Sequence, residues 1–175
     1  MVQTICSLLF SAGVCFQREA KFLLPGKERM DIVVEPTPGL CARATMLDVT
    51  IRTAQRSGEE KQGEAIIAGI SSKNAKYKEE AEAAGFDFLP LVWDTTGESS
   101  LETKAYINKL ISRIPNSEEY YKPFNSKAST PVYYWEQRIS MALHRGTARQ
   151  VLQLIDKARN KAMSMPSMRP LRHLP

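Results

Sequence analysis

Two short runs, "RMDIVVE" at 29–35 and "MLDVTIR" at 46–52, do most to limit what this chain can fold into. Met30, Ile32 and Val34 alternate with Asp31 and Val33; Leu47, Val49 and Ile51 alternate with Asp48 and Thr50. A strand sends successive side chains to opposite faces, so both runs read as half-buried strands. Each aspartate then falls on the face opposite its strand's main apolar stripe. Aspartate is among the residues most depleted from strands. Two of them at mid-strand ask for a purpose other than packing.

The neighbouring segments supply the order of elements. Thr4 to Ala12 reads as a short buried helix closed by Gly13. Val14, Phe16, Ala20 and Phe22 lie at even spacing and predict a first strand, and Pro25-Gly26 predicts a turn after it. "EPTPGL" is a loop, the third strand runs from Ala44 to Arg52, and Gln55 to Gly63 reads as a surface loop. From Glu64 to Gly85 helix formers dominate, with Ser71-Ser72 leaving one helix or two open. "FDFLPLVWD", Phe86 to Asp94, is a fourth strand, which Pro90 sends toward an edge or a bulge. After the "TTGESS" turn, Leu101 to Ile114 is amphipathic, with Leu101, Ala105, Ile107, Leu110, Ile111 and Ile114 toward one side. Val132 to Arg145 and Thr147 to Met163 read as two helices separated by Gly146.

Three consecutive strands are most simply a meander, and a helix between strands three and four implies a crossover. The expected class is α/β, a mixed β-sheet of about four strands flanked by helices, with extra C-terminal helices. The expected divisions are an α/β core at 1–115, a polar loop at 116–131, a helical appendage at 132–163 and a basic disordered tail at 164–175.

Composition narrows the function classes. At 175 residues the chain suits one domain with appendages, and 43% hydrophobic with 25% charged residues is the balance of a soluble globular protein. From Asp156 onward, five basic residues against one acid carry +4 of the net +5, which suits either a polyanion partner or a solvated tail. Cys6, Cys15 and Cys41 are odd in number without a CxxC spacing, and His144 and His173 stand apart from them. That excludes a disulfide framework and a zinc finger as readings, and points to a reducing, intracellular setting. "TICSLLFSAGVCF" lacks a basic n-region and an A-x-A-like site and is too short to span a membrane, so a core helix is expected there and no membrane partner.

If the strands carrying Asp31 and Asp48 pair antiparallel, both carboxylates can face one side. Two close carboxylates repel unless a positive charge lies between them. A hard divalent cation supplies it: Mg²⁺, or Mn²⁺, takes one or two carboxylates plus water and phosphate oxygens. Lys73, Lys76 and Tyr77 share a helix face, and a lysine there can orient water or offset phosphate charge. The plainer readings are a salt bridge from Asp31 to Arg29 or Arg18, an exposed Asp48 on a solvated sheet face, and two ordinary surface lysines.

"ERMDIVVE", "MLDVTIR" and "KNAKYKEEAEAAGFDFLPLVWDTTG" together resemble the C-terminal part of LINE-like (non-LTR) retrotransposon reverse transcriptase polyproteins. That part carries a restriction-endonuclease-like domain of the PD-(D/E)xK superfamily. "SAGVCFQREAKFLLPG" upstream and "WEQRISMALHRGTARQVL" downstream are similar as well, so the resemblance covers roughly residues 10–155. It implies a restriction-endonuclease-like sheet, Asp31 and Asp48 as metal-binding and catalytic acids, and Glu19 as a further upstream acid. The superfamily's lysine two residues after the second acid falls on Thr50. In this branch the following helix supplies it, which makes Lys73 the first candidate and Lys76 the second, with Tyr77 a phosphate contact. Met30 replaces the usual proline before Asp31, and the polymerase region, zinc knuckle and DNA-binding finger of such polyproteins are absent from this sequence.

The resemblance therefore implies a Mg²⁺-dependent DNA endonuclease that nicks its target and needs access to the nucleus. Arg29, Arg52, Lys76, Arg145 and Arg149 are the basic residues placed to touch phosphates, and such binding weakens steeply with salt. The alternative is a catalytically inactive nucleic-acid-binding remnant of the same fold, in which the aromatics of "EEYYKP" and "PVYYWEQR" stack on bases or simply anchor loops. A third reading is a remnant with no nucleic-acid role, which the near-neutral body of the chain favours.

Overall fold

A computed structural model describes residues 1–21, 29–53, 63–115 and 130–164, and excludes the side chains of Lys21, Arg29 and residues 161–164. The expected turn at Pro25-Gly26, nearly all of the loop at 55–63, the polar loop at 116–129 and the tail at 165–175 lie outside the described residues. The chain is α/β: α1 (Val2–Ser11), β1 (Phe16–Lys21), β2 (Arg29–Val34), β3 (Thr45–Arg52), α2 (Glu64–Ala83), β4 (Asp87–Asp94), α3 (Leu101–Ser112) and α4 (Pro131–Ser164).

The four strands form one mixed sheet in the order β1-β2-β3-β4. β1 with β2 and β2 with β3 are antiparallel, the meander expected of three adjacent strands. β3 with β4 is parallel, from Thr45↔Asp87 to Arg52↔Asp94, because α2 carries the chain across between them. β4 is an edge strand, where Pro90 costs no ladder bond. Its outer edge is covered locally: Thr103 Oγ1 accepts from the Val92 N–H at 2.9 Å, and Trp93 bridges to Ser99.

The two faces of the sheet are covered unequally. Ile32, Val34, Leu47, Leu91 and Trp93 pack with α1, α3 and the first half of α4 into the main core, around Trp135 at 1% exposed. The other face holds a smaller cluster that includes Met30, Val33, Met46, Tyr77 and Ala81, roofed among the described residues by α2. The apolar alternation of β2 breaks at Asp31, since Ile32 belongs to the first cluster and Met30 to the second. Across the ladder, Glu19 stands between the pairs Arg18↔Ile32 and Ala20↔Met30 with φ 52, so both strands change face at one point.

Helix ends follow the sequence where a glycine must take positive φ. α1 closes at Gly13 (φ 67), with the Val14 N–H donating to Leu9 O at 3.0 Å. α2 closes at Gly85 (φ 85), where Phe86 N–H donates to Ala81 O at 2.9 Å and the Phe86 ring packs on the α2 cluster. α2 is one unbroken helix through Ser71-Ser72.

Two expectations are corrected. Gly146 does not separate two helices: α4 runs unbroken over 34 residues, since an interior glycine costs only about 1 kcal/mol. In α3, Leu101 is 82% exposed and Ala105 is exposed as well. The buried side is set by Thr103, Tyr106, Ile107, Leu110 and Ile111, because Thr103 is anchored to β4 and to the Ser100 cap.

Candidate functional site

The site is built on the α2 side of β3. Alternation puts Met46, Asp48, Thr50 and Arg52 on that face while Leu47, Val49 and Ile51 enter the main core. Asp48 is 7% exposed, against the plain expectation of a solvated face. Its carboxylate is matched from two directions. Lys73 Nζ lies 3.0 Å from Oδ1 and 2.8 Å from Oδ2, and Thr50 Oγ1 donates to Oδ2 at 2.8 Å. A buried carboxylate needs such partners, since an uncompensated charge there is costly.

α2 can reach β3 this closely because Gly69 has no side chain. A Cβ at Gly69 would stand 2.9 Å from Val92 Cγ1 and 3.2 Å from Arg52 Cγ. One turn further along the helix, this approach sets Lys73 over Asp48. Arg52 lies along the same contact, and its Nε is buried with no hydrogen-bond partner among the described residues.

Lys73, Lys76 and Tyr77 do share one helix face. The Tyr77 ring is nearly buried against Phe88, with centroids 5.7 Å apart. The amines of Lys73 and Lys76 stand 5.6 Å and 4.7 Å from its centroid, within cation–π range. A hydrogen bond with Tyr77 pushes the pKa of the exposed Lys76 amine above its ordinary value, so it stays charged.

Asp31 is half-buried, and its Oδ2 accepts from the Val49 N–H at 2.8 Å. The ladder between β2 and β3 ends at Ile32↔Leu47, one step short of Asp31 and Asp48. The carboxylate of Asp31 thus takes a backbone donor just where the ladder gives out. Arg18, one expected partner of Asp31, reaches Gln3 Oε1 at 2.7 Å and Glu19 Oε1 at 3.3 Å instead.

Asp31 and Asp48 thus lie on neighbouring strands one step beyond the last paired rung, with Lys73 on Asp48 and Lys76, Tyr77 and Arg52 on the same side of β3 as Asp48. Glu19 is opposite Asp31 by register, yet its side chain is half-exposed and paired with Arg18. Among the described residues no three His, Cys, Asp or Glu side chains converge as metal ligands. Arg145 and Arg149 do not join the site: they are exposed on α4, which packs with α1 and α3 on the opposite layer. The side chain of Arg29 lies outside the described residues.

Thr50 as a partner of Asp48 is the residue that sequence reasoning passed over. Its signal was present, since positions two apart on a strand share a face. Among the described residues no helix is long and apolar enough to cross a membrane, and Cys6, Cys15 and Cys41 are all free thiols. No protein-family model matches the chain, and no curated protein matches it either.

Proposed function

We propose that the chain is a restriction-endonuclease-like domain of retrotransposon origin that hydrolyses phosphodiester bonds in DNA with a divalent cation. The observation that carries this reading is the meeting of Asp48 with Lys73, which are 25 positions apart, beside Asp31 on the neighbouring strand. The resemblance assigns a role to each of these three residues, whereas an arbitrary surface pair would have no such neighbour.

The donor set suits a hard cation: two carboxylates carried on neighbouring strands. Asp31 and Asp48 would hold Mg²⁺, which when bound activates water and offsets charge on a phosphate. The other parts follow from this chain's own groups. Thr50 fixes one oxygen of Asp48. The Lys73 ammonium orients a water or meets a phosphate oxygen. Arg52 and the charged Lys76 offer further phosphate contacts on the same side. Preorganised charge of this kind is what phosphoryl chemistry draws on most.

A second reading, an inactive nucleic-acid-binding remnant, is favoured by one observation. Both oxygens of Asp48 are already taken by Lys73, with no third acid converging on the site among the described residues. A plasmid-nicking assay with Mg²⁺ separates the two. Activity should appear in the wild type and fall at least about a hundredfold in Asp48→Asn and in Lys73→Ala, the scale of losing one aligned electrostatic group. Salt-sensitive DNA binding with identical, background nicking in all three proteins would leave only the remnant.

A further inference from the structure

The second half of α4 stands apart from the body of the chain. Tyr134, Trp135, Ile139 and Leu143 are buried, and then every residue from Ala148 to Asn160 is exposed. At about 1.5 Å per residue, that stretch extends roughly 20 Å. It is not a polar spacer. Val151 (49%), Leu152 (60%), Leu154 (64%) and Ile155 (56%) are large apolar side chains left in solvent.

At 100° per residue, Ala148, Val151, Leu154, Ile155 and Ala158 fall on one side, and Leu152 widens it to somewhat under half the circumference. A two-helix coiled coil uses a narrower seam, so this face suits insertion into a groove. Its Leu152 side is basic: Arg159 falls between Ala148 and Leu152 and Arg145 just beyond Leu152, with Asp156, the only acid from 144 to 164, next to Arg145.

We infer that this half of α4 is a docking helix for a partner protein offering an apolar groove rimmed by acidic side chains. Charge complementarity selects that occupant. A second copy of the chain packed on this face would bring like charges against Arg145 and Arg159, which is destabilising. DNA would use the basic side and leave the apolar face in water. The inference is independent of the nuclease reading, because α4 lies on the opposite side of the sheet from Asp48.

Calcium-loaded calmodulin is a suitable probe, since its groove is apolar, methionine-rich and acid-rimmed. Titration calorimetry with the full chain should give one-to-one binding that is abolished by EDTA. Leu154→Glu should weaken it about tenfold or more, and Arg145→Glu with Arg159→Glu should weaken it and flatten its salt dependence. All three positions are exposed, and circular dichroism checks that the variants fold. The inference is overturned if no binding occurs, or if binding ignores these variants. It is equally overturned if α4 instead partitions onto phosphatidylserine vesicles through Leu154, or if sedimentation shows a dimer that Leu154→Glu disperses.

Discussion

β3 faces two environments, and the contrast between them is instructive. On one side Leu47, Val49 and Ile51 meet three helices and join the main apolar core. On the other, Asp48, Thr50 and Arg52 meet a single helix across a centre of charge, with only a modest apolar cluster beside it. The first face supplies most of the burial that holds the fold. The second gives up apolar area to keep a carboxylate and an ammonium in contact out of bulk water, which seldom adds stability by itself. Such an arrangement is expected where a surface serves chemistry and another layer holds the fold.

Five substitutions test that contrast. Trp135→Ala on the main core should cost about 3–5 kcal/mol, read from urea unfolding, because the side chain is fully enclosed. A cost below about 1 kcal/mol would mean the face is not the stabilising one. Lys73→Met strips the counter-charge from Asp48 and should cost about 2–3 kcal/mol, less than a fully buried pair because Lys73 keeps 22% exposure. Adding Asp48→Leu to that variant should recover most of the loss, whereas a purely structural ion pair of positive net value would show no recovery. Gly69→Ala should cost about 1–2 kcal/mol net: the new methyl meets buried Val92, and better helix propensity offsets part of the clash. Asp31→Asn should change stability by under about 1 kcal/mol, since an amide oxygen can still accept from Val49 N–H. In the nicking assay the same variant should be nearly inert, and that divergence separates a ligand from a mere strand cap.

Much of the architecture was legible in local patterns. The meander, the α2 crossover, the glycine stops at Gly13 and Gly85 and the edge position of the Pro90 strand all follow from rules that act within a few residues. What escaped was decided by contacts between distant segments. Leu101 looked like a core residue by hydropathy, yet Thr103 holds the helix by its hydroxyl, and hydropathy does not register a hydrogen bond to Val92. Gly146 looked like a break, yet α4 continues past it. At the site, spacing placed Lys73 on the same helix face as Lys76 and Tyr77 and offered a lysine to the two aspartates, while the choice of Lys73 over Lys76 came only through the resemblance.

By itself, the sequence determined which residues alternate, where helices stop and which carboxylates sit at mid-strand, because sterics and side-chain period act along the chain. Only the tertiary structure decided that Asp48 is buried rather than solvated, that Lys73 rather than Lys76 reaches it, and that Arg145 and Arg149 lie on another layer. Those outcomes depend on how closely α2 can approach the sheet at Gly69 and on which face each helix covers. Burial and charge pairing arise from such packing, and no short stretch of chain carries that information.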